Sequence, residues 1–535
     1  MTAQIRLPLA PALSVLLVLA YLLPGLAGHD LWKTEDAVAI GIVHQLLQHG
    51  QWLMPNLAGE PFLEDGPFHY WIAALTAKLL AWALPMHDGA RVATGVMMAA
   101  ALAFANLGAR ELYGKLSGAG TVLTLLGCLG LVVHAHEALA EISMLAGQAL
   151  AWYGIALAVR KPKHAGWVLG AGLAVAFLSK GPAAVIAPVA VALLAPVLSD
   201  ALRRRDYLLT LLAASLTAGA VCGGWLALAD GRSPGIAAAW WQTNLSQFGK
   251  PMAWTAGYWA ETLAWATWPA WPLAFWTLWE RRRRSFEPGT RMLIAALAVS
   301  LIVLFAQRDP REFYSMPLLL PLSLLAGAGV PTLRRGAGNA LAWFGVMTAV
   351  LLGLGLWLCW FAMMTGVPPT IEHNFAKLEP GHVPHFTWAV FVPALAFTLA
   401  WLWLILGSER SAFRGVTYWA ASIALLWGLT MTLLLSWIDY GRSYRPVALA
   451  LRQALPADAR CVESRGLGET QRAVFDYRAG IVTERQERGT GIRCPFLLVQ
   501  GRPGVDDRVG AGWKLRWEGG RPRDHERYRL YQRTS

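Results

Sequence analysis

Apolar runs of about 17–25 residues recur along almost the whole chain, each long enough to cross a hydrocarbon core roughly 30 Å thick. A water-soluble fold could not hide them in a chain that is 56% hydrophobic and only 15% charged. The pattern predicts a polytopic α-helical membrane protein of about 13 spans, near 7–28, 91–109, 118–135, 139–159, 166–180, 182–198, 207–229, 261–279, 290–306, 313–329, 338–364, 388–407 and 415–437. The first run has no small-x-small cleavage site leading into a soluble sequence, so it is read as a helix and not a signal peptide. The formal charge of +13 sits in short connections at 110–115, 160–163, 203–205, 281–284, 334–335 and 410–414, which the positive-inside rule assigns to the cytoplasm. That distribution argues against a nucleic-acid partner. An odd number of spans then puts the N-terminus inside and the C-terminal segment outside. Residues 68–84 cannot cross under this scheme and are expected as an interfacial helix, with Trp71 and Trp82 at headgroup depth.

The polar stretch 30–71 follows the first span. It carries Asp30, Glu35, Asp36, Glu60, Glu64 and Asp65 among three His and three Trp. Residues 36–49 repeat apolar positions at helical spacing, Thr34 is an N-cap candidate, and Gly50 suits a C′ position. The topology gathers Glu35, Asp36, Glu64, Asp65, His69, Arg91, Glu137, Glu141, Lys180, Arg311 and Tyr314 on the outer face. Ionisable groups beside membrane spans mark functional sites by default. Two boundaries follow: a membrane domain over 1–437, with an outer first loop at 29–90, and a small α/β domain over 438–535. In the latter, 460–463, 481–483, 495–500 and 527–531 read as strands and 470–477 as a helix. Cys461 and Cys494 fall within it as a possible pair, whereas Cys128, Cys222 and Cys359 lie in spans as packing residues. There is no nucleotide-binding glycine motif and no internal repeat.

The first loop has a definite resemblance. Glu35-Asp36, then Gln51 to Phe62 (QWLMPNLAGEPF), then Glu64, Pro67 and His69-Tyr70-Trp71, resemble the first periplasmic loop of bacterial GT-C glycosyltransferases of the lipid A aminoarabinose transferase and protein O-mannosyltransferase-like family. Arg91, Glu141, the run FLSKGP at 177–182 and REFY at 311–314 with Pro317 follow in the family's order. Three positions depart from it. The usual Asp-Glu pair is Glu35-Asp36, Glu-Lys-Pro is Glu64-Asp65-Gly66, and the second-loop acid is Glu141 where Asp is usual.

The resemblance implies an inverting transferase of the bacterial inner membrane. Its donor would be a polyprenyl-phosphate sugar carried on undecaprenyl phosphate, and its acceptor a lipid such as lipid A or a protein hydroxyl on the periplasmic side. Such chemistry needs a base for the acceptor oxygen and cations for the leaving phosphate. Glu35, Asp36 and Glu141 are the candidate catalytic acids; the plainer reading is that the first two only cap their helix. Lys180, Arg91, Arg311 and Tyr314 are candidate lipid-phosphate ligands, against a snorkelling lysine and a structural Arg311–Glu312 pair. Glu64, His69 and Tyr70 are read as substrate-loop residues. No cofactor is implied, but a divalent metal at Glu64 and His69, or less so at His134, His136 and Glu137, stays open. Trp240, Trp241, Trp254, Trp259, Trp265, Trp268 and Trp271 are read as interfacial anchors rather than sugar-stacking platforms. The rival readings are a protein mannosyltransferase-like enzyme, a non-catalytic relative and a lipid-sugar transporter, for which repeats and midplane charges would be expected.

Overall fold

The computed structural model describes residues 10–32, 34–249, 255–282, 286–308, 311–408, 411–457, 459, 461–489, 494–502, 509–510, 512–521 and 524–534. Trp254, and residues 7–9, 283–284, 410 and 460 of the runs given above, lie outside the described residues.

The protein is helical and built for a membrane. Among the described residues seven helices are long and apolar enough to cross one by length and composition: Met86–Tyr113, Arg205–Arg232, Pro288–Phe305, Glu312–Thr332, Arg335–Thr365, Trp388–Gly407 and Arg414–Leu433. Pro11–Leu22 and Ala183–Leu198 are shorter apolar helices. The expected run 261–279 is divided between Thr255–Ala266 and Ala270–Arg281, with Pro269 in the break. Residues 68–84 contain the helix Phe68–Leu79, whose 12 residues extend about 18 Å, too short to cross. The membrane helices share a core that includes Leu102, Ile142, Trp152, Leu319, Leu325 and Trp419.

A second core lies beside the first. It joins the helix Glu35–His49, through Ile40, Val43 and Leu46, to Tyr70 and to Phe475, Leu498, Tyr528 and Leu530 near the C-terminus. The expected helix thus forms, one residue earlier than read, and ends at Gly50 with φ +67°, a left-handed cap that glycine adopts without a Cβ clash. Thr34 does not cap it: its hydroxyl donates to Glu35 instead. The short strands β1 (Asn56–Leu57) and β2 (Glu60–Pro61) form a hairpin just beyond.

Past the last long helix, five strands form one mixed sheet: β3 (Val462–Arg465), β4 (Glu484–Arg485), β5 (Phe496–Gly501), β6 (Trp513–Gly519) and β7 (Arg527–Arg533). Their order is β4-β3-β5-β7-β6. The first three are parallel, and β7 pairs antiparallel with both β5 and β6. The helix Glu469–Ala479 links β3 to β4 and packs on Glu35–His49. Cys461 and Cys494 are bridged, with Cα atoms 5.2 Å apart.

Candidate active site

Glu35 and Asp36 are adjacent on one helix, so their side chains diverge by about 100°. Glu35 turns into a cavity of about 430 Å³. Asp36 turns into the protein, where its carboxylate meets Arg91 through Nε at 2.9 Å and Nη2 at 2.7 Å. The Ala138 N–H, from the second outer loop, donates to the same carboxylate at 3.1 Å. Burial raises the pKa of such a carboxyl, but the Arg91 charge and these hydrogen bonds outweigh it and hold Asp36 down at about 2.

Arg91 is therefore not a phosphate ligand. Its guanidinium has five N–H donors, and every one has a protein acceptor. Nε and one Nη2 donor serve Asp36, Nη1 serves the His29 carbonyl and Asp88 at 2.9 Å each, and Nη2 also reaches the Asp30 carbonyl at 2.7 Å. With no exposed side-chain surface, Arg91 is a strut that fixes the first loop to the helix Met86–Tyr113.

The cavity gathers Glu64, Asp65, Tyr70, Glu141, Lys180 and Arg311 with Glu35. Lys180 ends the helix Pro162–Lys180 and lies 2.5 Å from Asp65 and 2.8 Å from Glu141, two acids more than 75 residues apart in the sequence. The Tyr70 hydroxyl donates to the other Asp65 oxygen at 2.6 Å. Backbone contacts set this geometry. The Gly66 N–H donates to the Ser179 carbonyl at 3.1 Å, and the Trp240 indole N–H donates to the Asp65 carbonyl at 3.1 Å. A Cβ on Gly66 would lie 2.1 Å from the Leu178 carbonyl oxygen, so only glycine lets the loop dock so closely on that helix. Asn244 donates to the Leu63 carbonyl at 3.0 Å from the same side as Trp240.

Arg311 reaches Glu64 at 3.6 Å. Burial raises the Glu64 pKa, the neighbouring Asp65 charge adds to this, and Arg311 opposes it. Tyr314 does not line the cavity; it packs edge-on against Phe313, which does.

His69 faces away from metal chemistry. It is fully buried, its Nδ1 is 2.9 Å from the Ser143 hydroxyl, and burial lowers its pKa to about 4. Both His136 nitrogens face backbone carbonyls, those of Val132 and Tyr21, at 2.7 Å each. His134 bridges Glu137 at 3.1 Å and Glu312 at 3.5 Å. Among the described residues no group of three or more His, Cys, Asp or Glu side chains has the arrangement of a metal site. Trp240 and Trp259, expected at the interface, are fully buried.

The sequence reading did not foresee the contribution of the C-terminal segment. Gly468, Glu469, Thr470, Gln471, Gln500 and Glu526 line the same cavity as Lys180 and Arg311. Gln500 ties them together, accepting from the Gly468 N–H at 3.0 Å and donating to Glu526 at 2.7 Å. Nothing in the local sequence marks these residues beyond a helix start, because their relation to Glu35 is wholly tertiary.

The profile of the dolichyl-phosphate-mannose-protein mannosyltransferase family matches residues 64–225. The chain is 27% identical over 359 residues to the undecaprenyl phosphate-alpha-4-amino-4-deoxy-L-arabinose arabinosyl transferase of Pseudomonas savastanoi pv. phaseolicola, covering 63% of this chain and 64% of that protein. It is 30% identical over 362 residues to the protein of the same description from Pseudomonas paraeruginosa, covering 64% and 62%. The matches thus span less than two thirds of these relatives. The structure of ArnT from Cupriavidus metallidurans bound to undecaprenyl phosphate superposes with a TM-score of 0.68, covering 97% of this chain and 96% of that one at 16% identity. The archaeal oligosaccharyltransferase AglB from Archaeoglobus fulgidus, in complex with an inhibitory peptide and a dolichol-phosphate, gives a TM-score of 0.51 at 9% identity, covering 91% and 68%. At these identities the structural likeness is one of fold.

Proposed function

We propose that this protein, a chain of GT-C type similar to the lipid A aminoarabinose transferases, moves a sugar from undecaprenyl phosphate to an envelope acceptor such as lipid A. The observation that carries the reading is the cavity itself: a carboxylate with no ion pair among the described residues shares a space of about 430 Å³ with two cations. Among the described residues Glu35 makes no ion pair, whereas Asp36, Glu64, Asp65 and Glu141 each have a cationic partner. Glu35 is the base in this reading. It takes the proton of an acceptor hydroxyl as the oxygen attacks the anomeric carbon; an acceptor already ionised would need none. The bond from that carbon to the phosphate oxygen breaks, and its electrons stay with the polyprenyl phosphate. Lys180 and Arg311 stabilise that anion. Asp65 and Glu141 hold the Lys180 ammonium in position, and Tyr70 holds Asp65.

The same reading puts the cavity on the periplasmic side of the inner membrane, with residues 438–535 outside as its cover. The Cys461–Cys494 bridge favours an oxidising compartment for that segment. A protein hydroxyl is the second acceptor we consider, because the family profile that matches residues 64–225 is that of a protein mannosyltransferase.

A transfer assay tests the proposal. Purified protein is given radiolabelled undecaprenyl-phosphate sugars with lipid A or with periplasmic protein as acceptor. Label should pass to lipid A with wild type and not with Glu35→Gln. Label passing only to protein would select the second acceptor. No transfer from any donor by folded protein would sink the transferase reading.

A further inference from the structure

We propose that Arg472, Arg485 and Arg488 form a docking site for a phosphate group of the lipid acceptor, one helical turn from the transfer cavity. The proposal takes only the identity of the acceptor from the transferase reading.

Three guanidiniums converge on one carboxylate. Glu60, on β2, lies 3.2 Å from Arg472, 3.3 Å from Arg485 and 3.4 Å from Arg488. Each distance exceeds the roughly 2.7–2.9 Å of a well-made charge-assisted hydrogen bond. One acid is shared thinly among three cations. Glu487 is the second acid, 3.9 Å from Arg485, and Arg465, reached through Gln486 at 2.9 Å, is balanced by Glu463, to which the same Gln486 donates. Positive charge therefore exceeds negative.

Arg472 is the buried member. Its side chain is 3% exposed and its Nε has no hydrogen-bond partner among the described residues. Its Nη2 reaches the Leu57 and Ala58 carbonyls only at 3.4 Å. A buried guanidinium with a spare donor is unusual unless something else completes it. Arg485 and Arg488 are open instead, with 35% and 47% of their side chains exposed. The cluster thus has a fixed floor and two reachable arms. Planar forks of this kind bind phosphate oxygens in pairs, and a phosphate anion suits the excess of three arginines over Glu60 and Glu487.

Position ties the cluster to the reaction. Arg472 belongs to the helix Glu469–Ala479, whose residues Glu469, Thr470 and Gln471 line the cavity. An acceptor held by its phosphate at Arg485 and Arg488 would reach the cavity past that first turn. The donor and acceptor phosphates would then occupy separate cationic sites.

Binding to purified protein in detergent is the test, with a bis-phosphorylated glucosamine disaccharide lipid, its dephosphorylated form and phosphatidylglycerol as probes. Wild type should prefer the phosphorylated glycolipid. The exposed-site double variant Arg485→Ala/Arg488→Ala should weaken it about tenfold or more, leave the dephosphorylated form unchanged and raise the acceptor KM without lowering kcat. Glu60→Gln should tighten binding, an effect that a purely structural cluster would not give. Unchanged affinity in both variants, or an equal loss for phosphatidylglycerol, would overturn the site. If arginine-dependent binding held while no sugar transfer occurred, the transferase reading would fall and the site would stand.

Discussion

The Arg91 guanidinium and the Asp36 carboxylate, 55 residues apart, form a two-pronged ion pair with no side-chain exposure on either partner. This pair and the cavity diverge from the same turn of helix. Asp36→Ala would leave a buried cation and should cost about 3–5 kcal/mol, whereas Asp36→Asn should cost less. Thermal unfolding in detergent reads both. The pH dependence has a definite sign. The Asp36 pKa is lower in the folded protein than in the unfolded chain, so its stabilisation is complete above about 4, the ordinary value, and is lost as pH falls toward about 2. Asp36→Asn should remove that acid-side loss.

Lys180 is the only described cation that contacts both Asp65 and Glu141. Lys180→Met leaves two acids facing each other without a cation. Transfer should fall by roughly two orders of magnitude or more, and thermal stability should fall with it. Lys180→Met/Asp65→Asn relieves part of the repulsion, so stability should recover while transfer does not. Recovery of transfer as well would remove Lys180 from phosphate stabilisation.

Glu64 has the opposite sign from Asp36. Burial, then the Asp65 charge, raise its pKa, so folding favours its protonated form. The stability it contributes is present at acid pH and is lost as pH rises through its folded pKa. Glu64→Gln should therefore match wild type in acid and unfold at a slightly higher temperature at neutral pH. A lower midpoint at neutral pH would mean that the Arg311 contact dominates.

Gly66→Ala is the smallest change expected to disable the site. The added Cβ would sit 2.1 Å from the Leu178 carbonyl oxygen, and the loop must move to relieve it. Asp65 moves with it, away from Lys180. Transfer should drop by more than tenfold for a stability cost of about 1–3 kcal/mol, read by kcat and by thermal unfolding.

Glu35→Gln keeps size and removes the charge. It should lower kcat by roughly 10²–10⁴ with little change in stability, since the side chain makes no ion pair among the described residues. Full activity in Glu35→Gln would move the base to Glu141.

Much of the membrane architecture could be read from apolar length, and the helix after Thr34 from its spacing. What could not be read was which neighbour each charge would choose. Glu35 and Asp36 look equivalent in a sequence, yet one residue of helical phase sends one to the cavity and the other to Arg91. Arg91 was expected at a phosphate because it opens a span on the outer face; five protein acceptors claim it instead. Lys180 was found from its Lys-Gly-Pro setting, but not its two acids, which come from separate loops. In the C-terminal segment three of the five strands overlap expected runs, and β4 at Glu484–Arg485 begins just past the expected run 481–483. Trp513–Gly519 was missed although Trp513, Leu515 and Trp517 alternate with Lys514, Arg516 and Glu518 at the period of a half-buried strand.

The core shared by the first loop and the C-terminal strands also sets a schedule. Asp30 meets Arg478 across 448 residues, and Glu526 lines a cavity that Glu35 opens. A chain threaded into the membrane from its N-terminus inserts Lys180 and Glu141 long before Gln500 and Glu526 leave the ribosome. The floor of the cavity is laid early and its cover arrives last. The cavity is therefore complete only once the C-terminal strands have docked on the helix Glu35–His49.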